Sequence, residues 1–276
     1  MTHHVHSVEL ATGVRLPYVE QGDPAGVPVL LLHGYTDSWR SFEETLAHLP
    51  DSIHAIAPTQ RGHGDAERPA TGYRQADFAA DAVALMDALG FGPAVVAGTS
   101  MGSWVAQRIA INYPEHVLGA VLMASFGPPR DNPAAMEFGE AVATLTDPID
   151  PAFVEDFQAS TAARPLAEAT LATFVEESLK LPARVWTAAY EGFLEVDFSE
   201  ELPAIEAPTL VVWGDRDVFT TRDEQDSLLA AIPNARLLVY EGAGHAMHWE
   251  EPRRFAADLT AFAHEVASRA GDVATV

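Results

Sequence analysis

The chain has 276 residues, 48% hydrophobic and 20% charged, enough for one large domain or for a core domain carrying an insertion. A formal charge of −24 with no basic run excludes phosphate-backbone recognition and disfavours polyanionic substrates and anionic membrane surfaces. The absence of cysteine excludes disulfides, thiol catalysis and cysteine-ligated metals. No window approaches the roughly 18 apolar residues of a membrane helix. Residues Met1 to Ser7 lack the basic-then-apolar layout of a signal peptide, so a cytoplasmic protein acting on a small molecule, without nucleic acid or membrane partners, is expected.

Residues 7–20 alternate apolar and polar about Thr12-Gly13, a hairpin pattern. Val27 to Leu32 is a continuous apolar run ending at His33-Gly34, as in a strand buried on both faces. Ile53 to Ala57 reads as a second strand, followed by the loop Thr59 to Asp65. Residues 75–89 carry apolar positions at helical spacing and stop at Gly90. The pattern repeats: strand Ala94 to Gly98, helix Ser103 to Tyr113, strand Val117 to Ala124. Toward the end, strands at Thr209 to Trp213 and Arg236 to Tyr240 flank a helix from Arg222 to Ala231, and a last helix covers Pro252 to Ser268. Such alternation predicts an α/β fold, a mostly parallel sheet with helices on both faces.

Between Pro128 and Pro203 the rhythm breaks. Prolines punctuate helical segments near 134–145, 151–160, 165–180 and 182–194, and no strand is convincing. Residues 1–127 and 204–276 are therefore expected to form the core, and 128–203 a helical cap inserted between two core strands. The small, polar tail from Ala270 to Val276 is expected to fray.

Gly98-Thr99-Ser100-Met101-Gly102 directly follows a strand and precedes a helix. In so tight a turn any Cβ at the flanking positions would meet backbone, whereas the serine hydroxyl projects free and the next N–H lies at the helix's positive end. A serine needs a base and an orienting acid. Downstream, Trp213-Gly-Asp-Arg-Asp217 and Gly242-Ala-Gly-His245 sit beyond strands, at the carboxyl edge where Ser100 also emerges.

With His33-Gly34 and Arg61-Gly62-His63-Gly64, these segments give a sequence that resembles the α/β-hydrolase fold family over essentially the whole chain. The resemblance implies Ser100 as nucleophile, His245 as base and Asp217 as the acid, with Asp215 the competitor for that last role. It also implies an oxyanion hole from the backbone N–H groups of Tyr35 and Met101. Serine at the elbow, where the family's haloalkane dehalogenases and epoxide hydrolases carry aspartate, points away from those chemistries. The implied activity is hydrolysis of a small to medium, mainly apolar carboxylic ester or lactone, without cofactor or metal. Other readings remain: a carbon–carbon bond hydrolase, a perhydrolase-type haloperoxidase, an N-acyl homoserine lactonase, or a slow-turnover receptor.

Phe126, at the base of the insertion, Phe219, two residues past Asp217, and Trp186 within the insertion are the candidates for substrate contact. His33, Arg61 and His63 read as braces of the loops at the sheet edge. His248 reads as a packing or hydrogen-bonding residue rather than a metal ligand. His3, His4 and His6 read as a flexible terminus.

Overall fold

The structure, a computed structural model, describes residues 3–274. Its eight strands are β1 (Val5–Glu9), β2 (Arg15–Gln21), β3 (Val27–Leu32), β4 (Ile53–Pro58), β5 (Ala94–Thr99), β6 (Val117–Met123), β7 (Thr209–Gly214) and β8 (Ala235–Tyr240). They form one sheet in the order β1-β2-β4-β3-β5-β6-β7-β8. β1 and β2 pair antiparallel, as does β2 with β4, and every pairing from β4 through β8 is parallel.

Period-two alternation divides the core into two layers. Leu30, Leu32, Val96 and Leu122 point to one face, Val29, Leu31, Val95 and Val121 to the other. The first face is covered by α2 (Gln75–Leu89), α3 (Met101–Asn112) and α8 (Arg222–Ala231), the second by α1 (Glu43–Leu46) and α10 (Pro252–Ala274). Each fully buried aliphatic side chain contributes about 1.5–3 kcal/mol, which is why uninterrupted apolar runs such as Val29 to Leu32 occupy the middle of the sheet. Gly90 ends α2 at φ 62°, its N–H bonded to Asp87 O at 3.1 Å, the left-handed stop its sequence position predicts.

The ends depart from the sequence expectation. His6 lies in β1 and stacks on Tyr18 at 5.3 Å, and His3 packs edge-on against Trp39 at 5.6 Å. The N-terminal histidines thus belong to an ordered segment, because the Val5-His6-Ser7-Val8 alternation finds a partner strand in β2. The final helix outlasts its predicted end at Ser268 and runs to Ala274; Arg269 pairs with Glu265 at 2.8 Å across one turn. Residues 275–276 of the expected frayed tail lie outside the described residues. Among the described residues no helix is long and apolar enough to cross a membrane.

Between β6 and β7 the chain forms α4 (Pro133–Val142), α5 (Pro151–Ser160), α6 (Glu168–Leu179) and α7 (Ala183–Leu194), with no strand. Side chain to backbone bonds fasten these helices to the sheet's carboxyl edge. Tyr35 donates to Trp186 O at 2.7 Å, and Arg184 reaches the carbonyls of Arg68 and Pro69 at 3.1 Å each.

Candidate active site

β5 delivers Ser100 to the sheet's carboxyl edge. Its backbone sits at φ 51°, ψ −117°, a region costly for a residue with a side chain, and its N–H is bonded to Met123 O at 2.9 Å. The two glycines show why the turn closes. A Cβ on Gly98 would lie 2.0 Å from Gly102 O, and one on Gly102 would lie 2.2 Å from Leu32 O and 2.6 Å from His33 O. α3 starts at Met101, so its positive end and first amides lie against Ser100.

Asp217 and His245 follow β7 and β8. His245 Nδ1 lies 2.9 Å from Asp217 Oδ2, and the Asp217 side chain is fully covered. That carboxylate also accepts from Phe219 N at 2.8 Å, Thr220 N at 3.1 Å and Thr220 Oγ1 at 2.6 Å. Burial alone would raise its pKa; the positive charge on His245 and these hydrogen bonds outweigh burial and hold it below the ordinary value. Asp215 is directed elsewhere: its carboxylate caps Gly242 N at 2.6 Å on an exposed turn.

The loop after β3 is braced from behind. His33 Nδ1 lies 2.8 Å from Gly34 O, and its Nε2 accepts the Gln60 N–H at 2.9 Å. This pattern requires a neutral ring, and burial, with His63 beside it, pushes the His33 pKa well below its usual value. Arg61 grips Asp81 with two bonds of 2.6 Å, and buried His63 bonds to Arg61 O at 2.8 Å. These three residues occupy the bracing positions expected of them.

Ser100 and His245 line one cavity of about 70 Å³, together with Gly34, Tyr35, Phe126 and Phe219 from the core. The insertion closes it with Phe138, Phe157, Gln158, Tyr190 and Phe193. Of the three aromatic candidates, Phe126 and Phe219 are on the wall. Trp186 is not; it is completely buried behind Tyr35, ring to ring at 5.4 Å, with its carbonyl taking the Tyr35 hydroxyl. Helical spacing in α7 puts Tyr190, one turn on, at the cavity in its place. His248 also lines the cavity, and its Nε2 lies 3.1 Å from Ser41 Oγ. Among the described residues no three His, Asp or Glu side chains converge as a metal site would require.

Sequence reasoning passed over Asp37 and Gln158, both buried and both on the wall. Asp37 was accessible in principle as an acidic residue three positions after His33-Gly34. Gln158 carried no signal, because only the packing of α5 brings it to the edge.

An imidazole and a hydroxyl on one cavity wall, with a buried carboxylate behind the imidazole and a helix N-terminus behind the hydroxyl, is an arrangement suited to nucleophilic attack on a carbonyl. The family model of the alpha/beta hydrolase fold matches residues 27–252, and the chain belongs to that family. Among its relatives is a non-heme chloroperoxidase of Streptomyces lividans, 29% identical over 93% of this chain and 98% of its own. Among solved structures, a thermophilic esterase from Thermogutta terrifontis is 26% identical with a TM-score of 0.82, covering 95% of this chain and 99% of its own. The N-acyl homoserine lactone degrading enzyme Est816 is 29% identical with a TM-score of 0.78, covering 93% and 100%.

Proposed function

We propose that the protein is a serine hydrolase that cleaves a small to medium, mainly apolar carboxylic ester or lactone through an acyl-enzyme. The observation that carries this reading is the 2.9 Å pair between His245 Nδ1 and Asp217 Oδ2 on the cavity that Ser100 also lines. With Nδ1 engaged by Asp217, Nε2 is the nitrogen that takes the Ser100 proton as the hydroxyl attacks the carbonyl. Asp217, held ionised, stabilises the imidazolium that results. The N–H groups of Met101 and Tyr35 receive the developing oxyanion; one such donor is worth about 2.7–4 kcal/mol in the transition state. His245 returns the proton to the leaving alcohol, and water repeats the sequence on the acyl-enzyme. Residues 128–203 act as the cap, and their aromatic side chains make the pocket apolar.

The Streptomyces lividans relative supports a second reading. Attack of hydrogen peroxide on the same acyl-enzyme gives a peracid and free Ser100; the peracid then oxidises halide to hypohalous acid and reverts to the carboxylic acid. Short-chain p-nitrophenyl esters and simple lactones test the first reading. Many turnovers per chain, abolished by Ser100→Ala, are expected, and equal activity in both proteins would overturn it. Halide-dependent halogenation fed by peroxide and acetate, also lost in Ser100→Ala, is the mark of the second.

A further inference from the structure

The polar groups of the cavity wall are almost all spoken for. The Tyr190 hydroxyl donates to Ala135 O at 2.6 Å, that of Tyr35 to Trp186 O, and that of Thr161 to Gln158 O at 2.8 Å. These hydroxyls therefore have no proton left to donate to a ligand.

Asp37 differs. The residue is 6% exposed, and its carboxyl receives two long side-chain bonds, from Gln158 Nε2 to Oδ1 at 3.2 Å and from Ser41 Oγ to Oδ2 at 3.3 Å. The Gly34 backbone also bears on it, and since a carboxylate has about four acceptor positions it is not saturated. Ser41 is fixed in turn by Trp249 Nε1 at 3.0 Å and His248 Nε2 at 3.1 Å. When the His248 proton is on Nε2, the Ser41 hydroxyl keeps its own proton for Asp37. Gln158 is shared with Ser178 Oγ at 2.7 Å. The carboxyl is thus held in place from both sides without being saturated.

Its position bears on the chemistry. A methyl placed on Gly34 would lie 3.1 Å from Asp37 Oδ2 and 3.7 Å from Ser100 Cβ. Asp37 and Ser100 therefore flank Gly34 closely, and all three line the same cavity. A substrate whose carbonyl is in reach of Ser100 brings atoms only a few bonds away into reach of Asp37.

We infer that Asp37, fixed by Gln158 and Ser41, is a specificity-determining subsite that takes a hydroxyl group carried close to the scissile carbonyl, so that hydroxyacyl esters are preferred over plain acyl esters. This inference rests on the esterase reading of Ser100. A hydroxyl is the group that suits the site because it both donates and accepts. Burial pushes the Asp37 pKa up to about 7, against the lowering effects of Gln158, Ser41 and His245, so carboxyl and carboxylate are both present at neutral pH. An alcohol donates to the carboxylate and can also accept from the protonated carboxyl, whereas an ammonium or amide N–H can only donate. A plain acyl chain leaves the carboxyl desolvated without return.

The test compares kcat/KM for p-nitrophenyl butyrate, its 2-hydroxy and 3-hydroxy derivatives and the 3-amino derivative. The wild-type protein is expected to favour a hydroxy ester over the plain one by about tenfold or more, the range of one hydrogen bond to a charged group. Asp37→Leu is expected to bring that ratio to about one or below, and Asp37→Asn to an intermediate value. A wild-type ratio near one, a preference for the amino ester, or a ratio unchanged in Asp37→Leu would overturn the inference. The wild-type comparison stands even if the leucine variant does not fold. Ser100→Ala separates the two levels: activity on all four esters that survives it defeats the esterase reading, while a flat ratio with Ser100-dependent activity defeats the subsite alone.

Discussion

The carboxylate of Glu250 accepts the Gly244 N–H at 2.7 Å, so the residue preceding His245 hangs from a side chain that is 1% exposed. The same carboxylate takes the Ala163 N–H and Arg164 Nε, each at 3.0 Å, and Ala246 N donates to Thr161 O at 2.9 Å. Glu250, at the end of the single-turn helix α9 (Met247–Glu250), thereby joins the histidine loop to the segment between α5 and α6. Glu250→Ala leaves two amides without their acceptor, at about 1–3 kcal/mol each. A fall in Tm and a fall in kcat larger than any rise in KM are expected, checked by thermal melting and ester kinetics. Glu250→Gln, which keeps one acceptor oxygen, is expected to recover part of both.

The two aspartates after β7 are predicted to separate cleanly. Asp217→Asn weakens support for the imidazolium and favours the wrong tautomer, for an expected loss in kcat on the order of 10⁴. Asp215→Asn touches only the cap on Gly242 N and is expected to change kcat less than about threefold. Steady-state kinetics on one p-nitrophenyl ester settles the pair; comparable losses would mean that the carboxylate nearest His245 is not the one that supports it.

Stability against pH follows from four buried groups. Burial lowers His33 well below its ordinary value, His63 to about 4 and His248 to about 3, the last two aided by Arg68 and His245 respectively. Each is neutral in the folded state while the unfolded chain takes up a proton below about 6.5, so each contribution is complete above that pH and is lost as pH falls toward the folded value. Asp37 acts in the opposite sense. Its folded pKa of about 7 exceeds the unfolded value of about 3.9, so it favours folding at low pH and loses that contribution as pH rises between them. Three histidines against one aspartate give a net rise in Tm from pH 4 to pH 6.5. Asp37→Asn is expected to steepen that rise and His248→Gln to flatten it, as read by calorimetry in matched buffers.

Gly102→Ala is expected to destabilise despite its place in α3, where alanine is favoured by up to about 1 kcal/mol. The added Cβ would fall 2.2 Å from Leu32 O, and β3 cannot retreat without parting from β4 and β5. Denaturant unfolding should show a loss of more than about 2 kcal/mol. A stable, active Gly102→Ala protein would mean that the turn is less tight than described.

The core strands and the elbow were legible in the sequence because each is local, an apolar run or a pentapeptide between strand and helix, whereas the choice of Asp217 over Asp215 came from the family resemblance. Trp186 and Tyr190 show where legibility stops. Both are large aromatics one turn apart on α7, and only the docking of that helix puts one behind Tyr35 and the other on the cavity. The bounds of α10 were missed for a different reason. Small residues after Ser268 read as a tail, but alanines with an Arg269–Glu265 pair extend a helix that packing has already nucleated. Asp37 escaped notice because its role depends on Gln158, more than a hundred residues later.

That last contact makes the acid–base state of the pocket and the seating of α5 two readings of one equilibrium. Since the bond from Gln158 favours ionised Asp37, ionised Asp37 must favour the seated position of Gln158 by the same free energy. A helix that lifts away removes the Gln158 bond but also readmits water, and because burial is the larger influence on Asp37 its pKa falls toward the ordinary carboxylate range and the carboxyl gives up its proton. Proton release on opening, measurable as a buffer-dependent heat when a ligand leaves, is built into the wall of the pocket.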